Sequence, residues 1–363
     1  MSVDIRSEGR GLIAPPLVVS TIEEIHEIVK IVQSVGAFAF DVETRGIVER
    51  HADAMNAFNT ELKQNLADMV TTSPAVREAT QERLMEKWRG IIALDPLRNE
   101  VFWIGIATDG HSWAIPMGHL CGEIIVPEEV GDGSTVPPTG YRKLKKDGTE
   151  SEAKIRYRIP AVFSAPPEQL SRSDVFTALE PLFSDPNIIK VGHNVKFDAR
   201  SIRKYLNVEL PLSGFMDTML MQHIVNENLR GYSLTDLIAY NYDGHDAYYK
   251  EGKLGKIINT VAFSSATKYV HLDVRWTWML YKRLWNKIKN KEGLRNALDQ
   301  DMIVLRVIMD MEDIGIPIKK SAMVVLGREL DGRMRDLLNE MSQFTPLGFN
   351  PDSNKSKQEF LFK

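Results

Sequence analysis

The run Gly36–Gly46, GAFAFDVETRG, constrains the fold more than any other stretch, because an apolar strand that must be buried ends in two acids, Asp41 and Glu43. Residues two apart on a strand project to one face. Both carboxylates therefore point the same way, and neither can neutralise the other. The cation that such a pair requires is missing from this stretch.

The 363-residue chain has ample apolar content for a large core or two ordinary ones. A formal net charge of −4 and a pI near 6.1 argue against a protein that grips nucleic acid by global positive charge. The single cysteine, Cys121, excludes an intrachain disulfide and fits a reducing compartment. The N-terminus lacks the apolar core of a signal peptide, and no run is long enough to span a bilayer. The expectation is a soluble, cytoplasmic protein with no membrane partner.

Ile22, Ile25, Ile28, Val29 and Val32 recur at helical spacing, with Ser20 or Thr21 as N-cap and Gly36 as the stop. After Glu43 the next strands are Asn99–Gly110 and the segment from His111, joined by a turn at Gly110. Residues 45–98 interrupt them as an inserted helical hairpin, its second helix capped by Ser73 with Pro74 in the first position. This insertion reads either as a lid or substrate guide beside the acids or as peripheral decoration. Residues 126–168 form a second, irregular and basic stretch. In it Arg142, Lys143, Lys145, Lys146, Lys154, Arg156 and Arg158 interleave with Tyr141 and Tyr157, as in a hairpin that touches nucleic acid or a solvated loop. Helix, short strand and helix follow through Asn194, and the rest is mainly helical. Two amphipathic helices, Leu294–Met311 and Ser321–Met341, precede a segment that reads as the beginning of a further helix where a natural domain rarely ends.

Two more acid-bearing segments answer the opening question. In VGHNVKFDARSI, Asn194 and Asp198 lie four apart and share a helix face just after a strand. In KYVHLDV, Tyr269 and Asp273 lie four apart on a late helix. Each pattern alone is common. Together they bring four carboxylates that would raise one another's pKa values if they converged, and that divalent cations would neutralise.

In that order and setting, FAFDVET, KVGHNVKFDARSI and KYVHLDV resemble the three motifs of the DEDD superfamily of 3′–5′ exonucleases. The tyrosine variant is indicated, because the position where the histidine variant carries His is Lys268. The segment LPLSGFMDTMLMQHIVNENLRGYSLTDLI resembles the proofreading domain of family A DNA polymerases, the bacterial DNA polymerase I type. MEDIGIPI and FNPDSNKSKQEFLF resemble the first residues of those enzymes' polymerase domain. No polymerase motif is present. The insertion and the basic stretch are longer than that family usually carries.

The resemblance implies an α/β fold, a ribonuclease H-like mixed sheet flanked by helices and followed by a short all-α segment. It implies an exonuclease domain over 1–293 and the start of a polymerase domain over 294–363. It also implies two-metal hydrolysis at a single-stranded DNA 3′ end, with Mg²⁺ or Mn²⁺ suiting an all-oxygen site. Asp41, Glu43 and Asp273 would hold the ion that activates water. Asp41 would bridge to the second ion, which Asp198 reaches through water. Tyr269, a poor base at an ordinary pKa of ~10, would orient the nucleophile. Asn194 would fix the terminal nucleotide or the Asp198 rotamer. Ile47 would pack under the last base or belong to the insertion's core, and Tyr248 or Tyr249 would stack a base. The polymerase part is expected in cis or on a separate chain. The competing expectations are a free-standing exoribonuclease like ribonuclease D and a catalytically silent nucleic-acid-binding module.

Overall fold

A computed structural model describes residues 17–67, 74–139, 142, 149–211, 213–242 and 258–362. A short edge strand, β1 (Leu17–Val18), leads into α1 (Ile22–Val35), which feeds β2 (Ala37–Arg45). Thr21 and Glu24 form a reciprocal capping box at the start of α1, the Thr21 hydroxyl accepting from the Glu24 amide and the Glu24 carboxylate accepting from the Thr21 amide. Helices α2 (Ala52–Ala67) and α3 (Pro74–Ala93) form the inserted hairpin, and β3 (Glu100–Thr108) and β4 (His111–Pro116) resume the sheet. Tyr248, Tyr249, Ser73, Tyr141, Lys143, Lys145 and Lys146, each singled out above, lie outside the described residues.

The stretch expected to be irregular is partly ordered. Strands β5 (Ile124–Val126), β6 (Glu129–Asp132), β7 (Arg156–Ile159) and β8 (Val162–Phe163) make two small antiparallel pairs, β5 with β8 and β6 with β7. Gly131 allows the Tyr157 ring to lie across β6, and the Tyr157 hydroxyl donates to Glu129 at 2.7 Å. Arg158 pairs with Glu128. Part of the positive charge is thus matched locally, a nested pairing that composition cannot reveal.

The chain continues through α4 (Arg172–Ser184), β9 (Ile189–Gly192), α5 (Val195–Arg203), β10 (Phe215–Asp217), α6 (Thr218–Val225), α7 (Leu234–Asn241) and α8 (Phe263–Ile288). Three further helices follow, α9 (Glu292–Ile314), α10 (Lys320–Ser342) and α11 (Asn354–Phe362). The main sheet runs β1-β4-β3-β2-β9-β10. β3 lies antiparallel between β2 and β4, whereas β9 and β10 add in parallel beside β2, and β1 adds in parallel at the other edge. This is a mixed sheet flanked by helices, as the resemblance implied, with β2 at its centre; β1 is an extra edge strand that the sequence reading did not contain.

Side chains alternate along β2 into two cores. Phe38, Phe40 and Val42 pack with α1, α4 and α5 on one face, while Ala37 and Ala39 meet α6 and α8 on the other. The small residues on the second face let α8 approach closely. At Gly105, paired with Asp41, a β-carbon would lie 2.6 Å from Val274 and 3.0 Å from Val270, so only glycine admits the helix at this distance.

Packing divides the chain into two compact units at Met309/Asp310, within α9. Leu298 and Met309 are buried in the cores of the first unit. Among the described residues no helix is long and apolar enough to cross a membrane.

Candidate active site

Asp41 and Glu43 occupy the last regular stretch of β2, immediately before a register shift between Glu43 and Thr44. Bulges of this kind bend a strand and end its pairing. Asp273 arrives from α8. Carboxylate oxygens of Asp41, Glu43 and Asp273 all lie within 4.8 Å of one another, although Asp273 is more than two hundred positions away in the chain. Asp198, buried in the first turn of α5, accepts the Val42 amide at 3.0 Å and so is tied to the backbone between the two β2 acids. Tyr269, one turn before Asp273, donates its hydroxyl to that carboxylate.

The electrostatics of the cluster are those of crowded anions. Burial pushes the Asp41 carboxyl up to about 7. Glu43 is held well above the usual carboxylate range, first by burial and then by the charges of Asp41, Asp273 and Asp198. Asp198 is raised by burial and by Asp41, against a smaller opposing pull from the Val42 amide. The Tyr269 hydroxyl is driven upward by burial and by Asp273, Glu43 and Asp41, so it remains a proton donor at any working pH. A buried oxygen cluster with this much uncompensated charge fits a divalent cation, because the ion would remove the repulsion and satisfy the carboxylates together.

Asn194 departs from its expected place. It lies one residue before α5 rather than on its face, in the left-handed conformation (φ 59°, ψ 46°), and its side chain is exposed and makes no capping bond. It therefore does not share a helical face with Asp198. Its amide donates instead to Asp217, a wholly buried acid that the sequence reading passed over. The signal was present in FMDTM, where Asp stands at the N-cap position before an apolar helical run.

Ile47 is half-buried at the entrance to the insertion, next to the buried Val48. The insertion itself is seated at the strand end. The Thr44 hydroxyl donates to the Ala93 carbonyl at 2.8 Å, and a β-carbon at Gly46 would meet the Arg89 carbonyl at 2.1 Å and the Ala93 nitrogen at 2.8 Å. Its exit is tied to α5, where Lys204 donates to the Pro96 carbonyl at 2.9 Å and the Asn99 side chain at 2.7 Å. Asn99 in turn donates to Ser201 at 2.9 Å. Arg45, Arg50 and Arg172 converge on the buried Glu100 at the other side of this junction.

Residues 159–289 match the family described as 3′-5′ exonuclease. DNA polymerase I of Pseudomonas aeruginosa is 28% identical over 203 residues, covering 54% of this chain and 22% of that protein. DNA polymerase I of Borreliella burgdorferi is 29% identical over 182 residues, covering 50% and 19%. The chain spans about a fifth of the length of these relatives. Among solved structures, Escherichia coli RNase D superposes with a TM-score of 0.45 at 11% identity, covering 82% of this chain and 51% of that one. The second and third motifs fall inside the matched residues 159–289, and the chain is similar to DNA polymerase I over about half of its own length.

Proposed function

We propose that this chain is a divalent-metal-dependent 3′–5′ exonuclease acting on single-stranded or frayed DNA ends, the proofreading portion of a family A DNA polymerase. The observation that carries the reading is the meeting of Asp41, Glu43 and Asp273 within 4.8 Å, drawn from a strand end and a distant helix, with Tyr269 bonded to one of them. Residues 294–363 would begin the polymerase portion, continuing in cis or supplied by a separate chain. The DNA polymerase I relatives support that assignment, as do the two short segments resembling its start.

Asp41, Glu43 and Asp273 would hold the cation, and Asp198 would reach the same site from α5. Mg²⁺ or Mn²⁺, as a pair, would supply a water made acidic enough to ionise near neutrality and charge to offset the departing 3′ oxygen. Tyr269, kept protonated by burial and by the surrounding acids, orients the attacking water by hydrogen bond and does not remove its proton. Asn194 would present its side-chain amide from a fixed left-handed backbone toward the terminal nucleotide. A site that handles phosphate and stacked bases discriminates little between sequences, as removal of any mismatched terminus demands.

The test is release of mononucleotides from 3′-labelled single-stranded DNA, with single-stranded RNA alongside, in Mg²⁺ or Mn²⁺. DNA is expected to be the better substrate, and Asp41→Ala or Asp273→Ala is expected to lower the rate at least about a thousandfold, roughly 4 kcal/mol of transition-state stabilisation. Activity that persists in Asp41→Ala, or that needs no metal, would refute the assignment. Faster turnover of RNA would instead favour a ribonuclease D-like role.

A further inference from the structure

We propose that Asp217 is a positioning residue for this site: its single carboxylate caps α5 and α6 together and thereby releases the Asn194 side chain for substrate. The inference rests on the exonuclease reading for what Asn194 contacts, though not for the geometry itself.

Asparagine immediately before a helix ordinarily turns its side chain back onto an amide in the first turn. Asn194 does not, and its amide group is exposed. The capping is performed from outside the helix. Asp217 Oδ1 accepts the Asn194 amide at 3.0 Å, Asp217 Oδ2 accepts the Val195 amide at 3.0 Å, and Oδ1 also accepts Met219 N at 2.8 Å as the N-cap of α6. An Asp that served only as the cap of α6 would need the last of these bonds alone. The other two reach across to α5 and fix the backbone amides of its cap residue and its first residue.

Three features make the arrangement functional in character. Asn194 is the only non-glycine residue with positive φ among the described residues, and a left-handed side chain-bearing residue persists only where its surroundings hold it. Asp217 is fully buried, and pairing of β10 with β9 sets it opposite Gly192, so its carboxylate cannot swing away to solvent. A negative charge at two helix N-termini is also favourable to both. The two helices pack in different cores. α5 carries Asp198, while Met221 of α6 packs in one core with Val274 and Trp278 of α8, the helix that carries Tyr269 and Asp273. One carboxylate thus joins α5, which carries Asp198, to α6, which packs on the helix that carries Asp273, and leaves the Asn194 side chain uncommitted at the start of α5.

The experiment uses the full chain and the variants Asp217→Ser, Asp217→Asn and Asn194→Gly. A serine keeps an acceptor for Met219 but is too short to serve Asn194 and Val195. Amide exchange followed by NMR is expected to show at least about a tenfold loss of protection at Asn194 and Val195, with Met219 still protected. In steady-state hydrolysis of single-stranded DNA, Asp217→Ser and Asn194→Gly are each expected to raise KM about tenfold, and the double variant no further, because both act on one element. Wild-type protection at Asn194 and Val195 in Asp217→Ser overturns the proposal, and so do KM increases that multiply in the double variant. Asp217→Asn, which keeps the volume and one acceptor oxygen, takes the place of Asp217→Ser if the latter does not fold; there loss of protection at Val195 is expected and its retention overturns the proposal. A wild-type chain that releases no nucleotides refutes the exonuclease reading, and the exchange result then decides the role of Asp217 by itself.

Discussion

The carboxylates of the cluster set the protein's response to pH before any substrate binds. In the folded chain Asp41 titrates at about 7, raised by burial from an ordinary 3.8. A carboxyl raised on folding means that the folded state binds more protons than the unfolded one, so stability falls as pH rises across that interval and is level above it. Chelated protein should therefore lose melting temperature between about pH 4 and 7, and Mg²⁺ or Mn²⁺ should remove most of the loss by taking the protons' place. Scanning calorimetry with EDTA and with metal measures both. Asp41→Asn removes the buried charge: it should raise the melting temperature of the chelated protein above pH 7 and abolish stabilisation by metal. Tyr269→Phe keeps the ring and loses only the hydroxyl that donates to Asp273. It should lower kcat and kcat/KM together, about ten- to a hundredfold, with KM unchanged, the pattern of an interaction made chiefly in the transition state. That Asp41 and Glu43 share a face of β2, and Tyr269 and Asp273 a face of α8, was legible because a strand or helix fixes which neighbours share a face. Asn194 was misplaced because its backbone conformation depends on Asp217, more than twenty positions away.

At the scale of elements, the question left open was whether residues 45–98 are decoration. The hairpin is fastened at both ends to the elements that carry the acids, by Thr44 and Gly46 at its entrance and by Asn99, Ser201 and Lys204 at its exit. Gly46→Ala places a β-carbon against the backbone of the last turn of α3, which cannot give way as a flexible side chain would. The expected cost is about 1–3 kcal/mol, with faster amide exchange across Ala52–Ala93 and weaker metal-dependent turnover, measured by mass-spectrometric exchange and by nucleotide release. Unchanged turnover in a destabilised Gly46→Ala protein would show the insertion to be separable from the site. Helical periodicity revealed the two helices of this insertion, but not that a glycine was the point of contact. The small pairs β5–β8 and β6–β7 were missed for a related reason. Their strands are two to four residues long, partner across a long gap, and show too little alternation to stand out from loop composition.

For the whole molecule, the division at Met309/Asp310 carries a further expectation. Among the described residues α10 and α11 contain no buried side chain. A chain ending at Met309 should thus unfold cooperatively within about 3 °C of the full chain, checked by calorimetry, and retain nuclease activity; a large drop would mean that the last segment stabilises the first unit. The sequence by itself determined the central strand, the helix that feeds it and the two strands that follow the insertion, and the shared faces of Asp41 with Glu43 and of Tyr269 with Asp273, because these depend on local alternation and on spacings of two and four residues. Only the tertiary structure decided that Asp41, Glu43 and Asp273 meet, that Asp217 holds the left-handed Asn194, and that the insertion is fastened beside them. Those facts depend on close approach between segments far apart in the chain, and close approach is set by what packs between them, such as the bare backbone at Gly105 that lets α8 lie against the sheet.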